Sequence, residues 1–321
     1  LEQYKNGVVL PHEYTQTAPK TDRLALMESC NSNISQIMLL YRDKDKVLEP
    51  LFQQIRAEKP VFDFSDREDN VFTMWRIDDP NRVHTIAKFM SLQKLYIADG
   101  HHRYETALTY RDKATVSDYL NTQGSRDFLM SYLVEFEDPG LVVLPYHRVV
   151  GGLNATKLSQ ILEKIKHMFT ESHGIPLTEL PLDSFLKKIE VQGETKNVMG
   201  FIRARDNQAN IITLHPELEL KKYGPMASFE AWILEEMVLK PVMGDSIDEH
   251  VTWVHDAEEA VKYLLSGNHQ VGFFLKALPM DLFESVVSRG DRLPRKSTFF
   301  HPKLPTGLAM NILNHDPHRT C

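Results

Sequence analysis

The stretch Leu95-Tyr-Ile-Ala-Asp-Gly-His-His-Arg-Tyr-Glu-Thr-Ala-Leu108 constrains the fold more than any other part of the chain. Leu95-Tyr96-Ile97-Ala98 is an apolar run rich in β-formers and reads as a strand. Ala107 and Leu108 mark the inner face of a helix that starts soon after Arg103. The chain must therefore pass from strand to helix within Asp99-Gly100-His101-His102-Arg103, which requires a fold that mixes the two periods. The same mixture recurs elsewhere. Ile37-Met38-Leu39-Leu40-Tyr41 reads as a buried strand and residues 71–77 as another, with further strands at residues 131–136 and 141–144 around the turn Asp138-Pro139-Gly140. Val83, Ile86, Ala87 and Met90 follow helical spacing, as do Leu158, Ile161, Leu162, Ile165 and Met168. Residues 198–204 and 210–214 suggest a hairpin around Asp206-Asn207. Asp256 is placed to cap a helix through Ala257, Ala260 and Leu264, with Gly267 just past its end. The expected class is α/β (α+β). Gly151-Gly152 marks a boundary near residue 150, with a second α+β part over residues 151–321.

The Asp99–Arg103 junction carries the strongest chemical signal. Five polar or glycine residues there are costly as core and unnecessary for a simple turn. Gly100 lets the backbone approach a ligand closely. Free amides at a helix start attract anions, and the helix dipole adds to that. Arg103 can grip phosphate or carboxylate with two bonds. His101 and His102 can donate hydrogen bonds or move protons near neutral pH. The plainer reading is a capped helix with solvated histidines, but it leaves the convergence of so many donors unexplained. A zinc site fits less well, because adjacent histidines rarely ligate one metal together.

Three other segments bear candidates. Pro11-His12-Glu13-Tyr14-Thr15 lies in a loop ahead of a helix through Leu24 to Cys30, and Glu13 offers a carboxylate as general base. An exposed loop glutamate is the plainer reading of that spacing. Leu144-Pro145-Tyr146-His147-Arg148 ends a strand on a His-Arg pair. The basic, hydroxyl-rich loop Lys296-Ser297-Thr298-Phe299-Phe300-His301-Pro302-Lys303-Leu304-Pro305-Thr306-Gly307 can close over phosphates or pack as a rigid loop on its two phenylalanines.

Composition narrows the partners. Among 321 residues, 37 basic and 44 acidic side chains leave a formal charge of −7, which argues against broad nucleic-acid binding. No stretch approaches the roughly 20 apolar residues that span a bilayer, so no membrane is expected. No secretory signal precedes the first element. Two cysteines, Cys30 and Cys321, form neither a metal spacing nor a disulfide framework, which fits a cytoplasmic protein.

These motifs resemble a known family. Gly7-Val8-Val9-Leu10-Pro11-His12-Glu13-Tyr14-Thr15, Asp22-Arg23, Asn33, Tyr41, residues 97–108, residues 144–148 and residues 296–307 are together similar to the bacterial family known as domain of unknown function 1015. Its members usually carry a further segment before the point corresponding to Leu1. Residues 1–150 resemble the ParB/sulfiredoxin-like superfamily, nearest to its free-serine kinases. That resemblance implies a nucleotide-binding part in which Gly100, His101, His102 and Arg103 hold phosphates and Glu13 activates a serine hydroxyl. It implies a kinase for a small hydroxyl compound, with ATP or ADP and Mg2+ as cofactors. Asp99 is the candidate metal ligand, and Asp99 and His102 join Glu13 as catalytic candidates. His147, Arg148, Lys296, Ser297 and Thr298 are candidates for further nucleotide contacts. The chain departs from the superfamily pattern at Ser35-Gln36-Ile37, where a proline usually opens the strand, and in a long insert before Asp99. A sulfiredoxin-type reductase needs a thiolate where His101 stands. A DNA-binding regulator lacks both a basic face and a helix-turn-helix. A nucleotide-binding regulator without catalysis is the alternative.

Overall fold

The computed structural model describes residues 1–113, 125–218 and 220–313. These fall into two units. The first is Leu1–Leu10, Gln16–Pro139 and the stretch from Leu304, and the second is Pro11–Thr15 with Gly140–Lys303. Both mix helices and strands, and the class is α+β. The boundary expected near residue 150 falls inside a strand, His147–Gly151.

The first unit is built on a four-stranded sheet of order β1-β6-β3-β7, with β1 Val9–Pro11, β3 Ile37–Tyr41, β6 Leu95–Asp99 and β7 Ser131–Glu135. β3 is antiparallel to β6 and parallel to β7. All five residues of β3 are buried, as expected of a central strand that reads as one continuous apolar run. Helices α1 (Thr17–Cys30) and α4 (His101–Asp112) belong to this unit. Met27 of α1 and Ala107 and Tyr110 of α4 pack with Leu313 in one buried cluster. The residues between β3 and β6 form α2 (Glu49–Arg56), a separate hairpin of β4 (Phe62–Ser65) with β5 (Val71–Met74), and α3 (Pro80–Met90). The strand expected over residues 71–77 thus stops at Met74. Asp79 caps α3, accepting from the N–H groups of Asn81 and Arg82. The chain returns late to this unit, where the short strand Asn311–Ile312 pairs with β2 (Ser32–Asn33).

The second unit centres on an antiparallel sheet of order β10-β13-β12-β15-β9-β14. Its strands are β9 (His147–Gly151), β10 (Phe169–Glu171), β12 (Val198–Arg203), β13 (Gln208–Leu214), β14 (Val251–Val254) and β15 (His269–Phe274), with β11 (Ile175–Pro176) also on β13. The β12–β13 hairpin turns where the sequence predicts it, with Asn207 at φ 51°, a left-handed conformation that asparagine tolerates. The sheet carries α5 (Ala155–Met168), α6 (Leu182–Gly193) and α7 (Ala257–Leu265). Asp256 caps α7 by accepting from Glu259 N–H at 3.0 Å, as its position in the sequence implies. Phe185, Ile189, Leu264 and Phe274 are among the buried residues that join α6 and α7 to the sheet. Two strands expected around Asp138-Pro139-Gly140 do form, but they do not pair with each other. β7 lies in the first unit, and β8 (Val142–Leu144) pairs with β16 (Phe299–His301) in the second.

Candidate functional site

β6 carries Tyr96, Ile97 and Ala98 into the core and leaves Asp99 half-exposed at its C-terminal end. Gly100 then takes φ 99° and ψ 27°, a left-handed conformation that L side chains rarely adopt. A Cβ there would lie 2.6 Å from Ile37 Cγ2 and 3.1 Å from Arg103 Nε. The sequence suggests that Gly100 opens the backbone to a ligand. The structure supplies a different reason, the close approach of Ile37 and Arg103. The helix starts at His101, ahead of Arg103 rather than after it as the sequence implies. His101, His102 and Arg103 therefore form its first turn, whose N–H groups have no acceptor within the helix. Gly100 brings no capping side chain to them, and its carbonyl accepts from Tyr104 N–H at 2.9 Å.

Arg103 is the hub of the turn. Its Nη2 donates to Asp99 Oδ2 at 2.5 Å, and its Nη1 donates to Ser35 Oγ and to the Gln36 carbonyl. A guanidinium has five N–H donors, so these three bonds leave two. Ser35 supplies a side-chain oxygen to Arg103, whereas Gln36 supplies its main-chain carbonyl, which any residue there would offer. The same segment receives the end of the hydroxyl-rich loop. Gln36 Nε2 donates to Pro305 O at 3.3 Å, Gly307 N–H to Ile34 O at 3.3 Å, and Thr306 Oγ1 lies 3.4 Å from Ser35 Oγ. Tyr132 on β7 accepts a hydrogen bond from the Leu304 backbone. Burial and then the Asp99 charge push its phenol up to about 12, so it stays protonated. His101 is buried. His102 Nε2 accepts from Gln16 N–H at 3.0 Å, just before α1, which places the proton of the neutral ring on Nδ1. Lys20 and Glu105 pair at 2.9 Å.

The remaining candidates belong to the second unit. Glu13 is half-exposed in the turn Pro11–Thr15. Beside it His12 is buried: its carbonyl accepts from Leu293 N–H at 2.8 Å and its Nε2 lies 3.2 Å from Thr298 Oγ1. Ser297 is buried and donates to the Pro294 carbonyl at 2.5 Å. Arg148 is buried and donates to the carbonyls of Tyr146, Arg295 and Lys296. Burial lowers it to about 10, so it remains charged at neutral pH. His147 accepts from Leu275 N–H at 3.2 Å, and burial, followed by the Arg148 charge, holds its ring down at about 3. Lys296 adopts φ 54°, with its ammonium 5.2 Å from the Tyr146 ring. Arg148 thus binds the 294–298 segment through its carbonyls, and Ser297 and Thr298 fix it from within, while His147 bonds the residue after β15 instead.

Asp99, Gly100, His101, His102 and Arg103 form one turn in the first unit, whereas Glu13, His147, Arg148, Lys296, Ser297 and Thr298 belong to the second, where Arg148 bonds the Lys296 carbonyl. The structure adds Ser35, Gln36, Tyr132 and Thr306 to the first group. Ser35 and Gln36 were visible as departures from a pattern. Tyr132 gives no signal in the sequence, because it sits in an ordinary strand.

No curated protein matches the chain. Among solved structures, a conserved hypothetical protein from Pyrococcus furiosus is similar at 15% identity, covering 93% of this chain and 90% of its own, with a TM-score of 0.44. A free serine kinase in complex with AMP is similar at 13% identity, with 94% and 86% covered and a TM-score of 0.43. SbnI from Staphylococcus aureus, truncated at its C-terminus, is similar at 10% identity, with 96% and 87% covered and a TM-score of 0.48. The model of one protein family matches residues 1–236, and the chain belongs to that family, the proteins of unknown function DUF1015.

Proposed function

We propose that the protein binds a nucleoside di- or triphosphate at the Asp99–Arg103 turn and transfers a phosphoryl group to a small hydroxyl compound, free L-serine being the first candidate. The observation that supports this reading best is the first turn of α4. A 12-residue helix opens on a glycine that brings no capping side chain, so its first-turn N–H groups lie beside an arginine with two N–H donors to spare. Helix amides and a guanidinium are what a phosphate oxygen needs, and a dipole pointing the right way adds to them. His101 and His102 sit at the first two helical positions, where imidazole N–H groups can supplement the amides.

Phosphoryl transfer relies on positioning and on stabilising charge. The substrate hydroxyl oxygen forms a bond to the terminal phosphorus, the bond from that phosphorus to the nucleotide oxygen breaks, and the hydroxyl proton leaves to a base. The sequence resemblance assigns that base to Glu13. Asp99 is the carboxylate nearest in sequence to the turn, but its Oδ2 is engaged by Arg103. Magnesium commonly takes one or two carboxylates and completes its shell with phosphate oxygens and water. A Mg2+ ion here would accordingly ride mainly on the nucleotide, with Asp99 as one ligand, and it would offset the phosphate charge. Lys296 and Thr298 are the second unit's candidates for further nucleotide contacts.

A product assay with ATP and ADP against hydroxyl amino acids, sugars and polyols tests the reading. Phosphorylated product from one acceptor supports it. Glu13→Gln should lower turnover by about 10²–10⁴ while leaving nucleotide affinity near wild type, the signature of a lost base. Nucleotide binding with no product from any acceptor would replace the kinase with the non-catalytic regulator. Normal turnover in Glu13→Gln would keep the kinase and remove its base.

A further inference from the structure

A small pocket in the first unit lies between α1, α4 and the residues of β2 and just after it. Its water-accessible space is about 50 Å3. One ordered water needs roughly 10–15 Å3, so the pocket admits a group of a few non-hydrogen atoms. Leu26, Ile34 and Leu129 supply apolar wall, while Arg23, Asn33 and Thr106 also line it.

Two buried polar groups of this lining lack partners. Asn33 is 4% exposed. Its Oδ1 accepts from Met130 N–H at 3.3 Å and from Asn311 Nδ2 at 3.1 Å, but its Nδ2 has no acceptor. Thr106 is 3% exposed, and its Oγ1 has no partner either. A buried donor left unmade costs about 1–3 kcal/mol, so two on one pocket call for an occupant. The charge around the pocket fixes the sign of that occupant. Arg23 is exposed and, among the described residues, makes no ion pair or hydrogen bond. Arg103, the other charged lining residue, is already balanced by Asp99 at 2.5 Å. Among the described residues, no carboxylate lines the pocket. An amide N–H pair, a hydroxyl and an uncompensated guanidinium together suit a planar anion with two oxygens, and the apolar wall suits a short carbon stub.

We propose that this pocket binds a small carboxylate of two or three carbons. The Asn33 amide and the Thr106 hydroxyl hydrogen-bond its oxygens, and Arg23 at the mouth supplies the balancing charge. The pocket adjoins the Asp99–Arg103 turn, because Arg103 and Ser35 also line it, but its proposed contacts Arg23, Asn33 and Thr106 are not residues of that turn, and acetate affinity is read without nucleotide.

Titration of the full chain with sodium acetate and sodium glycolate, at ionic strength held constant with chloride, tests the assignment by ligand-observed NMR and calorimetry. Acetamide serves as the neutral isostere. The expected result is saturable binding of the carboxylates, at least tenfold weaker binding of acetamide, and a loss of about tenfold in acetate affinity in Arg23→Gln and in Thr106→Val. That factor corresponds to about 1.4 kcal/mol, one hydrogen bond to a charged group. Arg23 is exposed, so its variant keeps the fold even if Thr106→Val does not. Equal affinity for acetamide and acetate would overturn the proposal. So would unchanged acetate affinity in Arg23→Gln, or no saturable effect at tens of millimolar, which would leave the pocket to ordered water.

Discussion

Gly100 is held to glycine by two independent constraints, a φ of 99° and the 2.6 Å gap to Ile37 Cγ2. Either constraint alone would cost an alanine roughly 1–3 kcal/mol, as backbone strain or as overpacking. Gly100→Ala should therefore lose roughly 2–4 kcal/mol in denaturant unfolding, and a variant within 0.5 kcal/mol of wild type would show that the turn relaxes freely. His147 makes a second prediction, in pH. Its ring falls from an ordinary value near 6.5 to about 3 because burial disfavours the imidazolium. Between those values the unfolded chain takes a proton that the folded chain refuses. Stability should fall as pH drops below about 6.5, by on the order of 1 kcal/mol per pH unit. His147→Asn keeps an acceptor for the Leu275 N–H and cannot titrate, so its acid limb should be flatter in urea melts from pH 7 to 4. An unchanged limb would assign acid sensitivity to other groups.

At the scale of elements, the chain's own periodicity located much of the fold. β3 came through because five consecutive apolar residues have no reading other than a buried strand or helix, and the run is too short for a helix. The cap at Asp256 and the hairpin at Asn207 were legible because each rests on local hydrogen bonding. The start of α4 was not placed correctly. Helical φ/ψ begins where Gly100 ends its left-handed turn, and no sequence rule marks whether the two histidines fall before or within the first turn. The site shared this limit. Asp99–Arg103 was visible as a cluster of donors, yet Ser35 and Gln36, which bond Arg103, lie 68 and 67 residues from it, and Thr306 lies 271 residues from the Ser35 it meets. Long-range pairing of that kind leaves no periodic trace. For the same reason the sequence could not show that Arg148 and Ser297 spend their donors on carbonyls of their own unit.

The whole molecule is not two consecutive segments. The first unit needs the return of the chain from Leu304. Leu313 is fully buried with Met27, Ala107 and Tyr110, its N–H bonds the Asn31 carbonyl at 2.8 Å, and Asn311–Ile312 pairs with β2. Burying one leucine is worth about 1.5–3 kcal/mol, and the lost strand and its bonds add to that, against a typical total of 5–15 kcal/mol. A fragment of residues 1–150 should accordingly be poorly folded and cut quickly by protease. A cooperative, protease-resistant melt from that fragment would show that the returning segment is dispensable.

The central claim is that a nucleotide phosphate binds at the Asp99–Arg103 turn. Isothermal titration of ATP and ADP, with magnesium, into the wild type and into Arg103→Ala tests it most directly, with unfolding melts to confirm that the variant is folded. The account predicts measurable binding by the wild type and a loss of about 1.5–3 kcal/mol in the variant, the range for hydrogen bonds to a charged group. Unchanged nucleotide affinity in a folded Arg103→Ala variant, or no binding of either nucleotide by the wild type, would contradict it.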